Sequence, residues 1–144
     1  MNASPDLALS VALKFLKVAE RTESELRMHL ESKGVLQEDA DRVVAMMLAR
    51  RFVSDERVVE REIELAKGPR KIGREKLAAR LESKGLSVDA CSEYSLQEET
   101  ENAIALIRSR GLTDRQKAGR VLVSRGYSEE ALIGALVTEF GDWE

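Results

Sequence analysis

Leu30-Glu31-Ser32-Lys33-Gly34 recurs letter for letter as Leu81-Glu82-Ser83-Lys84-Gly85, and a looser copy stands at Leu122-Val123-Ser124-Arg125-Gly126. Each copy ends on a glycine followed by an apolar residue: Val35, Leu86 and Tyr127. An acid stands four residues after each glycine, at Glu38, Asp89 and Glu130, where it can favour the positive end of a following helix. Upstream, Thr22 with Glu25 forms a capping-box pattern, and Leu26 and Leu30 fall on one helical face. A terminal glycine accepts the left-handed conformation that closes a helix. The motif therefore reads as helix, glycine turn, helix, and self-similarity at a long period predicts a repeat array.

With a further helical stretch ahead of each pair, the unit becomes three helices. The expected helices cover about 5–20, 22–33 and 37–51, then 55–67, 70–84 and 87–94, then 96–110, 113–125 and 128–140. Pro5 after Ser4 suits a first turn, Gly68-Pro69 breaks the chain, and Asp114 or Thr113 and then Ser128 are candidate caps. The predicted fold is all-α, an elongated tandem array of three three-helix repeats in one continuous domain. Its repeats are expected at 1–54, 55–95 and 96–144.

Composition agrees. The chain has 144 residues, 43 % hydrophobic and 34 % charged, with only 4 % aromatics and two prolines. That mix disfavours an all-β fold and suits leucine and small-residue packing between helices. No apolar run approaches the roughly 20 residues that span a bilayer, and no signal peptide is expected. One cysteine, Cys91, allows no internal disulfide and fits a cytoplasmic address.

Charge is uneven beneath a net −3. Lys67, Arg70, Lys71, Arg74, Lys76, Arg80 and Lys84 face only Glu75 and Glu82 within their segment, while the chain after Gly85 carries six basic and eleven acidic side chains. These seven cations are the candidate partner-binding residues, for phosphates or for an acidic protein face. Arg70, Arg74 and Lys84 are expected to point outward, with Leu77 and Leu81 inward. The alternative is a solvated face whose charges pair internally.

Little suggests catalysis. His29 is the only histidine and reads as a partly exposed helix residue, and Cys91 as a buried packing residue. Neither a metal knuckle nor a phosphate-cradling loop is present in the sequence. Glu98, Glu99 and Glu101 read as the solvated start of a helix. Phe140 and Trp143 are expected to pack on the last helix, with an exposed anchor for a partner as the alternative. No enzyme, cofactor or metal is predicted.

Four stretches resemble the RecX regulators of the RecA recombinase: ERTESELRMHLESKGV at Glu20–Val35, RRFVSDERVVERE at Arg50–Glu62, GPRKIGREKLAARLESKGL at Gly68–Leu86 and KAGRVLVSRGYSEEALIGAL at Lys117–Leu136. The resemblance covers about residues 12–140. It implies a modulator that lies along the groove of a RecA-type recombinase filament and suppresses its ATPase, strand exchange and co-protease activity. A monomer is expected. Single- or double-stranded DNA is a further candidate partner, through a helix-turn-helix-like use of the Gly68–Gly85 segment. A helical scaffold for an unrelated protein is the third reading.

Overall fold

The computed structural model describes residues 5–142, and every regular element among them is helical. In order these are α1 (Pro5–Val18), α2 (Glu23–Ser32), α3 (Gln37–Ala49), α4 (Asp55–Lys67), α5 (Arg74–Ser83), a 3-10 helix (Val88–Glu93), α6 (Leu96–Ser109), α7 (Arg115–Ser124) and α8 (Glu129–Phe140). The chain divides into two compact units, Met1–Glu60 with Lys84–Leu86, and Arg61–Ser83 with Ser87–Glu144.

In the first unit, α2 starts as its sequence dictates. Thr22 Oγ1 accepts the Glu25 N–H at 3.0 Å, and Glu25 Oε1 accepts the Thr22 N–H at 2.9 Å. The core is built from Ala8 and Ala12 of α1, Leu26 and Leu30 of α2, and Val43, Val44 and Met47 of α3. The two alanines let α1 approach closely without a cavity to fill. Phe15 stacks on His29, ring centroids 4.0 Å apart, and the Arg21 guanidinium lies 4.3 Å from the same phenyl ring.

The second unit has its core in α6, α7 and α8, where Ala103, Leu106, Ile107, Ala118, Leu122, Tyr127, Ala135 and Leu136 cluster. Phe140 packs half-buried against them. Trp143 and Ser4 lie outside the described residues. Ser95, Asp114 and Ser128 cap α6, α7 and α8 with their side chains.

Two expected elements differ. The helix expected over 70–84 begins only at Arg74, because residues 70–73 are committed elsewhere. The N–H groups of Arg70 and Ile72 donate to Leu65 and Ala66 carbonyls, so they close the end of α4. Lys71 takes a left-handed φ of 47° between them. The expected helix at 87–94 is a 3-10 turn instead, opened by Ser87, whose Oγ accepts the Asp89 N–H.

Candidate partner interface

Gly73 explains where the basic helix starts. A Cβ on it would stand 2.2 Å from Tyr127 Cα, so only glycine lets this turn lie against the turn that follows α7. Backbone bonds lock the two turns: the Gly73 N–H donates to Arg125 O and the Glu75 N–H to Gly126 O, each at 3.0 Å. The Arg125 guanidinium donates to the carbonyls of Arg70 and Lys71. Tyr94 Oη donates to Ile72 O at 3.0 Å, and the Asn102 amide donates to Lys67 O. Orphan donors at a helix start must find acceptors, and those of α5 find them across the unit.

One acceptor was misjudged in the sequence. Glu99 is fully buried, contrary to the expected solvated helix start. Its carboxylate accepts the Arg74 N–H at 2.8 Å, the Ser128 N–H at 2.9 Å and the Ser128 hydroxyl at 2.7 Å. It thus sits between the starts of α5 and α8, where two helix dipoles favour a negative charge. In sequence the residue looks like its neighbours Glu98 and Glu101, and only the facing N-termini single it out. Asn102 and Tyr127 were also missed; Tyr127 Oη donates to Asn102 Oδ1, and burial pushes the phenols of Tyr127 and Tyr94 well above their ordinary range.

The seven candidate cations do not form one open face. Arg70 and Arg80 both pair with Glu62, whose side chain is 6 % exposed. Burial pushes the Glu62 carboxyl up, but hydrogen bonds from Arg80 and Arg70 outweigh it and hold the group below the ordinary range. Lys67 pairs with Glu98 at 2.7 Å, and Lys84, which belongs to the first unit, pairs with Glu25 at 3.6 Å. Arg74 is half-buried, and its Nε is enclosed without a hydrogen-bond partner. The outward orientation expected for Arg70, Arg74 and Lys84 is therefore replaced by half-burial: Glu62 takes up Arg70, Glu25 takes up Lys84, and the Arg74 Nε is enclosed. Leu77 and Leu81 do turn inward, both fully buried. Lys76 is exposed, and Lys71 Nζ reaches only the Gly68 carbonyl, at 3.4 Å. Among the described residues no carboxylate pairs with either ammonium.

Other chemistry is sparse. Cys91 is buried, and desolvation raises its thiol above the ordinary value although Arg74 opposes this, so it is a poor nucleophile. Among the described residues no group of His, Cys, Asp and Glu could hold a metal ion, and no helix is long and apolar enough to cross a membrane.

Comparison with known proteins matches this architecture. Residues 8–45 match the family model for the first three-helix domain of RecX. The crystal structure of RecX from Lactobacillus salivarius superposes with a TM-score of 0.80 over 94 % of this chain and 95 % of that one, at 16 % identity. A crystal structure described as regulatory protein RecX gives 0.72 over 88 % of this chain and 70 % of that one, at 20 % identity. No curated protein matches the sequence. The two solved structures share the fold along nearly the whole length of this chain, and residues 8–45 are similar in sequence to the first three-helix domain of RecX.

Proposed function

We propose that the protein regulates a RecA-type recombinase by binding its filament on DNA along the groove, lowering ATPase, strand exchange and co-protease activity without catalysing a reaction of its own. The observation that carries this reading is the RecX first-domain match over residues 8–45, joined to a RecX fold over 94 % of the chain. A binder that prefers one filament state shifts the population toward it, so turnover falls without contact at the nucleotide site.

Among the described residues Lys71, Arg74 and Lys76 pair with no carboxylate, and because the Arg74 Nε is enclosed, Lys71 and Lys76 are the readiest contacts. Lys67, Arg70, Arg80 and Lys84 contribute through charges that remain partly exposed beside their partners, at 23–37 % of the side chain. Titrating the protein into the DNA-dependent ATPase of the cognate recombinase on single-stranded DNA tests the reading. Inhibition is expected, and the K71E/K76E variant should require several-fold more protein for the same effect. Absence of inhibition, together with steeply salt-dependent binding to naked DNA, would move the function to nucleic-acid binding.

A further inference from the structure

Counted from the glycines that end α2 and α7, three positions change character between the first repeat and the third. Arg27, Glu31 and Asp41 are replaced by Gly119, Val123 and Ile133. In the first unit Arg27 Nη1 donates to Asp41 Oδ1 at 2.5 Å, tying α2 to α3 beside a cleft lined by Arg27 and Glu31. The equivalent place in the second unit has no such tie and is apolar. Val123 is 65 % exposed and Ile133 42 %.

Between α7 and α8 lies an open cleft of about 540 Å³, whose lining includes Gly119, Val123, Leu132 and Leu136 with Arg115 and Arg120. Gly119 is what opens it: a long side chain there, as at Arg27, would occupy the space. Arg120 is exposed, and among the described residues no carboxylate pairs with it. The Arg115 guanidinium is held by the carbonyls of Phe140 and Gly141 at the far end of α8. An apolar hollow with the Arg120 guanidinium at its margin is complementary to an apolar side chain beside a carboxylate. The hollow supplies the desolvated pocket for the anchor, and Arg120 selects charge and orientation.

We propose that the α7–α8 cleft docks an apolar anchor residue carried on an acidic surface segment of the recombinase. This rests on the regulator reading above, and names the part of the chain that recognises protein as distinct from DNA. Its occupant is a protein segment because the lining is apolar, whereas a phosphate backbone would call for several unpaired cations on a polar floor.

The test transplants the polar trio of the first repeat into the third as G119R/V123E/I133D. A Cβ at Gly119 meets Leu136 Cδ1 at 3.5 Å, an ordinary contact, and the other two side chains are exposed, so the fold should survive; a thermal melt checks this. Co-sedimentation with recombinase filaments on single-stranded DNA is then measured for wild type, the triple variant and R120E. We expect wild type to bind, the triple variant to bind at least tenfold more weakly, and R120E to lose several-fold, more at low salt. A folded triple variant that binds like wild type overturns the cleft and leaves the regulator reading standing. Failure of wild type to bind at all removes that reading and the cleft's partner with it. A wild-type dimer dissolved by the triple substitution would assign the cleft to a second copy. Altered Trp143 emission in the unbound triple variant, with filament binding preserved, would assign it to the chain's own last residues. Either result overturns the proposal.

Discussion

The turn at Gly34 and the turn at Gly126 come from the same motif and share a backbone, φ 78° and 80°, yet they face different surroundings. A Cβ on Gly34 would meet nothing within 4 Å. One on Gly126 would stand 2.3 Å from Lys76 Cβ and 2.6 Å from Lys76 N. The first glycine ends a helix, and nothing more is asked of it. The last also brings its turn against the first turn of α5, where its carbonyl accepts the Glu75 N–H. The repeated motif thus encodes a helix end and leaves room for a docking surface that only some copies use.

Alanine at each glycine breaks or confirms that contrast. Gly126→Ala should cost most, about 2–5 kcal/mol, from roughly 1–2 for the left-handed conformation and 1–3 for overpacking against a helix backbone. Gly34→Ala should cost only the conformational part, roughly 1–2 kcal/mol. Gly85 is the informative middle case, since its Cβ would lie 2.6 Å from the Ser24 side chain, within the first unit. Ser24→Gly should relieve part of the Gly85→Ala loss and none of the Gly126→Ala loss. Denaturant midpoints measure all of these, and equal losses at 34 and 126 would mean the docking contact contributes nothing.

The helix starts that receive these turns differ in the same way. α2 is capped locally by Thr22, whose hydroxyl also donates to Lys84 O at 2.7 Å. At the equivalent position α5 has Gly73, which has no side chain to cap with, so Glu99 of α6 accepts the Arg74 N–H instead. Glu99→Gln replaces one acceptor oxygen by a donor against three donors and should cost about 1.5–3 kcal/mol. Thr22→Ala should cost about 1 kcal/mol, the usual loss of a cap. If the glutamine variant proves as stable as wild type, Glu99 is not the anchor that the geometry makes it.

These two helix starts also mark how far the sequence could be read. Thr22 with Glu25 is a local signal, and so were the glycine turns, the caps at Asp114 and Ser128, and the inward Leu77 and Leu81. The helix set followed from them with little error. What failed was non-local. Residues 70–73 look helical in isolation, but their N–H groups close α4, and nothing nearby in sequence announces that. Glu99 looks like Glu98 because burial is decided by α5 and α8. The basic segment looks unpaired because Glu62 and Glu25, which take up Arg70, Arg80 and Lys84, lie on other helices. Cation count predicted attraction; the position of the carboxylates decides how much of it remains for a partner.

The smallest effect separates the same two repeats by pH. His29 on α2 and Arg80 on α5 occupy equivalent positions before their glycines. Burial, with the charges of Lys33 and Arg21, lowers the His29 pKa below its ordinary 6.5. The unfolded chain then holds the proton more tightly, so this contribution is fully present above pH 6.5 and is lost as pH falls through the lower folded value. At the other position Arg80 answers Glu62, whose carboxyl is held below 4.5, so its contribution is complete above about pH 4.5 and fades only in stronger acid. Acid should therefore weaken the protein in two separate stages. His29→Phe keeps a ring against Phe15 while removing the titration, and should flatten the stability profile just below pH 6.5 without touching the acid stage. Glu62→Gln should do the reverse, at the cost of leaving Arg70 and Arg80 without their carboxylate at neutral pH. Denaturant midpoints across pH 3–8 decide the matter, and a His29→Phe profile parallel to wild type below pH 6.5 would place the first stage on some other group.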